Sequence, residues 1–371
     1  MHYHLNVFKI YLVLSLLTVL NAADIRGEII TDDNKSVAVT KANHQRDYPF
    51  KTTLEPLLGL TEKGTKGIAG MEKVAQKPLS EGEDVQLNIS FSVQKKIEKM
   101  LDSMKTDIET DEIMVGVMES RTGKVVALAS SNRYDPSHVT QKDIGALQQK
   151  FGAYPYEPGY VVAPVVLALA LEHGALTPDT VLNTFNGRMQ IGEKRHITDD
   201  EKFESLTATD VIVHSSNVGI SQISWTLTGK EFRDGLTKFG FDRPSEIDLD
   251  EDLPGHMKSL HLLNNRMHRA NVSYGYGMLA TFTQLLKAYA VFNNGGNEVI
   301  PQIVKRSNDN YSSKHKKVIS METAQQIHNI LIEVVKCGTG VNAQYPGLEI
   351  GGKTGTAHMA RNGRYVSEYH S

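Results

Sequence analysis

The apolar and polar residues form regular patterns from about residue 83 onwards and only weak patterns before it. Residues 113–118 and 125–129 are short apolar runs separated by the Arg121–Lys124 turn, which predicts an antiparallel hairpin. Residues 161–172 are apolar on nearly every side and predict a buried helix. Apolar residues at helical spacing predict further helical regions over residues 92–104, 207–225, 281–293 and 321–336.

The helix predicted over residues 92–104 also has a predicted orientation. Ser92 stands at its start and is the expected N-cap. Its apolar residues fall on one side, and that side should therefore face the core. These residues are Val93, Ile97, Met100, Leu101 and Met104.

A second hairpin is predicted near the end of the chain. Residues 348–358 and 365–370 read as strands, and Asn362-Gly363 between them is the preferred dipeptide of a tight turn. Strands at both ends with helices between them predict an α+β fold. We expect one antiparallel sheet built from these distant segments.

The first residues resemble a targeting segment. Residues 10–20 form a short apolar run, and the small residues of Asn21-Ala22-Ala23 follow it. Eleven helical residues span about 17 Å, against about 30 Å for the hydrocarbon core of a bilayer. We therefore predict that residues 1–22 are a signal peptide or a short membrane anchor, and that the rest of the chain is exported. A buried core helix is the alternative.

Composition excludes several classes of protein. The 371 residues carry 40 Lys plus Arg and 43 Asp plus Glu, a formal net charge of −3, which argues against nucleic-acid binding. Cys337 is the single cysteine, so no intramolecular disulfide or multi-cysteine zinc site can form. His256, His261 and His268 lack a metal-ligand spacing. The sequence predicts neither a metal nor a cofactor.

Three motifs occur in a fixed order: Glu157-Pro158-Gly159-Tyr160-Val161-Val162-Ala163-Pro164, then His214-Ser215-Ser216-Asn217, then Lys353-Thr354-Gly355-Thr356. The last two resemble the Ser-x-Asn and Lys-Thr-Gly motifs of penicillin-recognising enzymes. Segments such as Tyr274-Gly-Tyr-Gly-Met and Cys337-Gly-Thr-Gly are similar to class B penicillin-binding proteins, the peptidoglycan D,D-transpeptidases. The similarity is closest to the septal, FtsI-like branch, with the elongation branch as the alternative.

The resemblance implies a penicillin-binding-protein/β-lactamase-like transpeptidase fold, in which helices flank an antiparallel sheet beside an all-helical subdomain. Residues 86–371 are then the transpeptidase-like domain, and residues 23–85 a shortened remnant of the family's N-terminal pedestal. The family continues with another strand and a helix beyond the position of Ser371. We therefore expect a C-terminally truncated domain.

The family's reaction assigns roles to the matching residues. A motif serine attacks the D-Ala-D-Ala carbonyl of a peptidoglycan stem peptide, and a neighbouring amine resolves the acyl-enzyme. By resemblance, Ser215 relays protons, Asn217 holds the substrate amide and Lys353 supplies positive charge. Thr354 binds the substrate carboxylate. Gly355 lets the substrate backbone lie against the strand, and Thr356 completes the substrate-binding segment.

The first motif departs from the family pattern Glu-Pro-Gly-Ser-x-x-Lys-Pro. Tyr160 occupies the position of the nucleophilic serine, and Ala163 that of the basic lysine. A phenol has a pKa near 10 and needs a base to ionise, which Ala163 cannot supply. Ser92 and Ser313 also begin Ser-x-x-Lys patterns, with Lys95 and Lys316, but as chance matches to a two-residue pattern.

We therefore expect a non-catalytic homologue of peptidoglycan synthesis, on the periplasmic face of the bacterial inner membrane, anchored or secreted. It would contact the membrane only through its N-terminus and bind stem peptide or β-lactam at best non-covalently. Partners in a cell-wall synthesis complex are a further expectation. The alternatives are an active serine-type D,D-transpeptidase with an off-motif nucleophile, and a non-functional remnant.

Overall fold

The computed structural model describes residues 25–108, 110–193, 195–306, 316–361 and 364–371. The predicted signal or anchor and the predicted Asn362-Gly363 turn lie outside these residues. The helices are α1 Gly70–Val74, α2 Gln76–Ser80, α3 Phe91–Asp107, α4 Lys150–Ala153, α5 Ala163–Glu172, α6 Ala208–Val213, α7 Asn217–Trp225, α8 Gly229–Lys238, α9 Leu260–Leu263, α10 Arg266–Ser273, α11 Phe282–Asn293 and α12 Met321–Cys337. Among the described residues, no helix is both long enough and apolar enough to span a bilayer.

The strands form small sheets. They are β1 Ile29–Ile30, β2 Ser36–Thr40, β3 Arg46–Asp47, β4 Thr61–Glu62, β5 Lys66–Gly67, β6 Val85–Gln86, β7 Met114–Met118, β8 Val125–Ser130, β9 Val181–Asn183, β10 Arg188–Ile191, β11 Arg195–Thr198, β12 Ser205–Thr207, β13 Ala357–Arg361 and β14 Arg364–His370. One sheet has the order β3-β2-β1-β6, in which β1 and β6 are parallel. Helices and sheets together confirm the α+β class.

Both predicted hairpins form, but they do not join. Strand β7 pairs antiparallel with β8, and β13 pairs antiparallel with β14, in two separate two-stranded sheets. The prediction of one sheet that connects the two ends of the chain is therefore wrong for the residues that the structure describes.

The strand predicted over residues 348–358 begins only at Ala357. The residues before it turn their backbone towards neighbouring helices. The N–H of Gly352 donates to the carbonyl of Leu331 on α12 at 3.1 Å. A Cβ on Gly355 would lie 2.7 Å from Cγ1 of Val161, just before α5. This segment is therefore positioned by helices and not by strand pairing.

Helix α3 shows a polar face to the interior. Its N-cap is Ser90 and not Ser92, and Met100 is 61% exposed. Gln94 is buried because its side-chain amide pairs with both backbone groups of Leu128, at 2.9 and 3.0 Å. Glu98 is buried beside it and accepts the N–H of Leu54 at 2.9 Å. The predicted apolar face is therefore confirmed for Leu101, which is buried, and wrong for Met100 and Met104, which are exposed. Gln94 and Glu98 take buried positions because they complete the hydrogen bonds of buried backbone.

The buried helix predicted over residues 161–172 is confirmed as α5, which lies at the centre of the larger core. Every residue from Ala163 to Ala170 is buried. The hydrophobic cluster around it draws side chains from α6, α7, α8, α11 and α12. The helical region predicted over residues 207–225 is interrupted beside this core. His214 ends α6, Ser215 adopts a φ of 57°, and Ser216 caps α7.

A second hydrophobic cluster crosses the predicted domain boundary between residues 85 and 86. Ile29 and Leu57 share it with Leu128 and Ile303. Strand β6, where the boundary falls, pairs with β1. The N-terminal region is thus packed against the rest of the chain. Its interpretation as a shortened pedestal stays a prediction.

A buried ion cluster holds the N-terminal region together. The Glu72 carboxylate accepts Nε–H of Arg26 at 2.7 Å and Nε–H of Arg46 at 2.6 Å. All three side chains are at most 3% exposed. The guanidinium groups also donate to backbone carbonyls, Arg26 to Glu72 and Thr65, and Arg46 to Gly27. One carboxylate is therefore the shared counter-charge of two buried cations.

Glu72→Gln should lower the free energy of unfolding by about 3–5 kcal/mol, because it leaves two buried guanidinium groups without a counter-charge. Chemical denaturation measures the change. Asp47→Asn is the matched control, since Asp47 pairs with Lys41 at the surface and should contribute less than about 1 kcal/mol. Equal losses for the two variants would contradict this account.

Candidate functional site: a cleft at the start of helix α5

The three sequence motifs meet at one cleft, with a volume of about 470 Å³. Tyr160 lies just before α5. Ser215 comes from the turn between α6 and α7, Asn217 is the first residue of α7, and the segment before β13 contributes Thr354, Gly355 and Thr356. Residues far apart in sequence are therefore brought together.

The turn that carries Ser215 is held in place by hydrogen bonds to Thr198 and Asp199. Asp199 accepts the hydroxyl of Ser216 at 2.5 Å and the N–H of Val218 at 2.8 Å, so its carboxylate binds the first turn of α7. Burial raises the pKa of Asp199, against these hydrogen bonds, which lower it. The amide of Asn217 donates to the carbonyl of Thr198 at 3.0 Å. The hydroxyl of Ser215 reaches across the cleft to Thr339 and Lys353.

Lys353 connects this turn to the segment before β13. Its Nζ donates to Oγ of Ser215 at 2.7 Å, to Oγ1 of Thr339 at 3.0 Å, and to both oxygens of Thr354, at 3.1 and 3.2 Å. All of these partners are uncharged. No carboxylate lies within ion-pair distance of Lys353 in the part of the chain described.

Burial without a counter-charge destabilises the ammonium of Lys353. Desolvation lowers its pKa to about 8. The ammonium also lies 5.1 Å from the ring centroid of Tyr160, where the π face gives some compensation. The cleft thus contains an unpaired cation beside three hydroxyl groups, an arrangement suited to a ligand carboxylate.

Tyr160 turns its hydroxyl away from the cleft. Its ring lines the cleft wall, but the hydroxyl lies 3.0 Å from the carbonyl of Val211 and 2.9 Å from that of Ser216, to which it donates. The side chain is buried, and burial together with the charge of Asp199 raises the pKa of Tyr160 well above its usual range. Ala163 is completely buried. The position that the sequence resemblance predicts for the nucleophile therefore carries a protonated hydrogen-bond donor.

Close backbone contacts fix this end of α5. Gly159 has a φ of +64°, and a Cβ there would lie 2.8 Å from the carbonyl oxygen of Thr356. A Cβ on Gly275 would lie 1.9 Å from the carbonyl oxygen of Gly159. Only glycine fits at either position. Gly355 likewise packs on Val161, so its first role in this fold is to let the third motif approach the first.

The sequence did not identify several residues of the cleft. Thr339 lies between Lys353 and Ser215, within the Cys337-Gly-Thr-Gly segment that was noted only as a family match. The remaining wall includes His214, whose Nδ1 lies 3.2 Å from the carboxylate of Glu201, and a group of four aromatic side chains. The aromatic group is Tyr274, Tyr276, His358 and Tyr369.

The other sequence candidates do not reach the cleft. Ser92 lies in the first turn of α3, where Lys95 stands over the ring of Phe91 at 5.7 Å. Ser313 lies outside the described residues. Within those residues, no group of three or more His, Cys, Asp or Glu side chains is arranged to hold a metal ion.

Comparison with known proteins agrees with this arrangement. The profile of the penicillin binding protein transpeptidase domain matches residues 113–371. The chain belongs to this family. The probable peptidoglycan D,D-transpeptidase PenA of Neisseria flavescens is 31% identical over 260 residues, which cover 69% of this chain and 62% of PenA. The peptidoglycan D,D-transpeptidase FtsI of Buchnera aphidicola is 26% identical over 358 residues, 88% of this chain and 62% of FtsI.

Solved structures confirm the fold of this penicillin-binding protein homologue. Penicillin binding protein 3 of Mycobacterium tuberculosis superimposes with a TM-score of 0.84 at 26% identity, over 93% of this chain and 84% of that chain. The same protein has been solved with aztreonam and with ampicillin. The predicted class B family and transpeptidase fold are thereby confirmed. The chain spans about three fifths of the length of the curated relatives it matches.

Tyr160→Phe should lower the free energy of unfolding by about 1 kcal/mol, because it removes the hydrogen bond of the buried hydroxyl. The loss should be no larger, since both carbonyls accept a second bond, Val211 from the N–H of Ser216 and Ser216 from the N–H of Ile220. Chemical denaturation measures it. Tyr345→Phe, at a 66% exposed position, is the matched control and should change stability little. An unchanged stability for Tyr160→Phe would show that this hydroxyl does not hold the turn.

Proposed function

We propose that this chain is a class B penicillin-binding protein homologue that binds D-alanyl-terminated stem peptide or a β-lactam non-covalently. It has lost acylation through the first motif. Its place is in peptidoglycan synthesis at division, on the periplasmic face of the inner membrane. The family membership, the FtsI relative and the β-lactam complexes of penicillin binding protein 3 support this proposal.

The observation that carries the proposal is the state of Tyr160. Its single O–H proton is shared between two backbone carbonyls, and a phenolate could donate to neither of them. An attacking phenolate would lose these bonds and would need a base where Ala163 offers a methyl group. Losing the nucleophile of a serine hydrolase lowers its rate about a million-fold, or about 8 kcal/mol of barrier.

The binding half of the site supports retained recognition. Lys353 presents an ammonium without a counter-ion, and the hydroxyls of Thr354 and Thr356 lie exposed on the same segment. A C-terminal carboxylate of a peptide would satisfy the charge that the protein leaves unpaired. Partner proteins of a cell-wall synthesis complex would bind other surfaces of the same fold, and their binding would not require the contact between Lys353 and a carboxylate.

Benzylpenicillin should leave no covalent adduct on the purified chain, because no nucleophile faces the bound lactam at the first motif. The double variant Tyr160→Ser plus Ala163→Lys should gain one adduct per molecule, since it restores the nucleophile and base on a site whose other parts are in place. Intact-protein mass spectrometry distinguishes the outcomes. Tyr160→Ser alone is the control that supplies a hydroxyl without a base.

An adduct on the unmodified chain would contradict the proposal in favour of an off-motif nucleophile. Its absence from the double variant would show that residues other than Tyr160 and Ala163 also prevent acylation.

Lys353→Ala should abolish saturable binding of diacetyl-lysyl-D-alanyl-D-alanine in isothermal titration calorimetry, while the thermal transition stays nearly unchanged. Because the pKa of Lys353 is lowered to about 8, its ammonium is present below that pH and is lost above it. The ligand carboxylate is ionised throughout, so the dissociation constant of the unmodified chain should rise up to about tenfold per pH unit above pH 8. Lys230→Ala, at an exposed ion pair on α8, is the matched control. Equal binding by Lys353→Ala and Lys230→Ala would contradict the proposed ligand site at Lys353.

A further inference from the structure

Ser215 and Lys353 have a second chemical capacity besides carboxylate binding. Oγ of Ser215 lies 2.7 Å from Nζ of Lys353, within reach of direct proton transfer. Ser215 faces the cleft and is partly exposed. Its φ of 57° places it in the left-handed region, in the sharp turn that separates α6 from α7.

We propose that Ser215 and Lys353 form a serine–lysine catalytic dyad that reacts with neutral, activated acyl donors such as esters with a good leaving group. The nucleophile is then the serine of the second motif, which the family resemblance casts as a proton relay. The dyad lies in the same cleft as the proposed ligand site, but its activity does not rest on the binding of a peptide.

The hydrogen bonds around Lys353 accommodate both protonation states. As an ammonium it donates to Ser215, Thr339 and Thr354. As a neutral amine it keeps two N–H bonds, to Thr339 and the Thr354 carbonyl, and turns its lone pair to the hydroxyl of Ser215. With a pKa of about 8, about a tenth of Lys353 is neutral at pH 7, enough to act as a base.

The acylation step balances with these groups alone. Nζ of Lys353 takes the proton of Ser215 as Oγ forms a bond to the ester carbonyl carbon. The carbonyl re-forms as the bond to the leaving alkoxide or phenolate breaks, and the ammonium releases its proton to that group or to water. In the second step the oxygen of a water molecule forms a bond to the acyl carbon while Lys353 takes its proton. The bond from that carbon to Oγ then breaks, and Lys353 returns the proton to Oγ, which releases the carboxylic acid and restores Ser215.

Charge sets the class of substrate. A ligand that carries a carboxylate pairs with Lys353 and stabilises its ammonium, which removes the base from the dyad. Stem peptides and benzylpenicillin therefore occupy the cleft without acylating Ser215. A neutral donor leaves Lys353 free to lose its proton.

Diisopropyl phosphorofluoridate is the test reagent, because it is neutral and its product with serine is stable. Oγ forms the O–P bond, fluoride leaves, and the serine proton passes to Lys353. Peptide mapping by mass spectrometry should place the label on Ser215, with a rate that rises with pH and levels off above about 8. Diacetyl-lysyl-D-alanyl-D-alanine should slow labelling.

Lys353→Met should lower the labelling rate of Ser215 about a hundredfold or more and remove its pH dependence near 8. Lys230→Met, the same substitution on the exposed side of α8, should label like the unmodified chain. The dyad is overturned if Ser215 stays unlabelled, if Lys353→Met reacts at the unmodified rate, or if labelling of the unmodified chain does not change from about pH 7 to about pH 9. The last criterion holds even if the variant does not fold. None of these outcomes affects calorimetric binding of the peptide, which tests the proposed function separately.

Discussion

The burial of helix α5 from Ala163 to Ala170 is the constraint on which the rest of this structure depends. No residue from Ala163 to Ala170 has a polar side chain, so the helix can only lie where other helices cover every side of it. Four helices pack around it and cover these apolar sides: α6, α7, α8 and α12. The start of α5 is thereby fixed against the turn at Ser215 and the segment at Lys353. The cleft is a consequence of how the core is filled.

This dependence explains how the chemistry of the first motif could change without loss of the fold. Position 160 lies at the boundary between core and cleft. A tyrosine there adds a ring to the buried surface and places its hydroxyl on the carbonyls of Val211 and Ser216. Ala163 continues the apolar helix without any buried polar group. Both residues satisfy the packing of the core, while neither supplies a nucleophile or a base at the cleft.

The sequence predicted the elements whose patterns arise from burial and the motifs that meet at the cleft. Helix α5 was predictable because only burial explains an all-apolar helix. The buried face of helix α3 was predicted only in part, because Gln94 and Glu98 are buried for their hydrogen bonds with Leu128 and Leu54, which no periodicity reveals. The strand predicted before Ala357 failed for a similar reason, since its backbone bonds depend on distant helices. Thr339 and Asp199 reach the site through such contacts, and spacing could not identify them.

The electrostatics of Lys353 give the cleft a property that the packing of the core does not require. A cation that is partly desolvated and has only neutral partners destabilises the folded state, and its lowered pKa reflects that penalty. The penalty disappears when either a ligand carboxylate arrives or the proton leaves. The first event completes a binding site, and the second exposes a lone pair to Ser215 at 2.7 Å. Because one proton decides between them, carboxylate binding and serine activation exclude each other at this lysine.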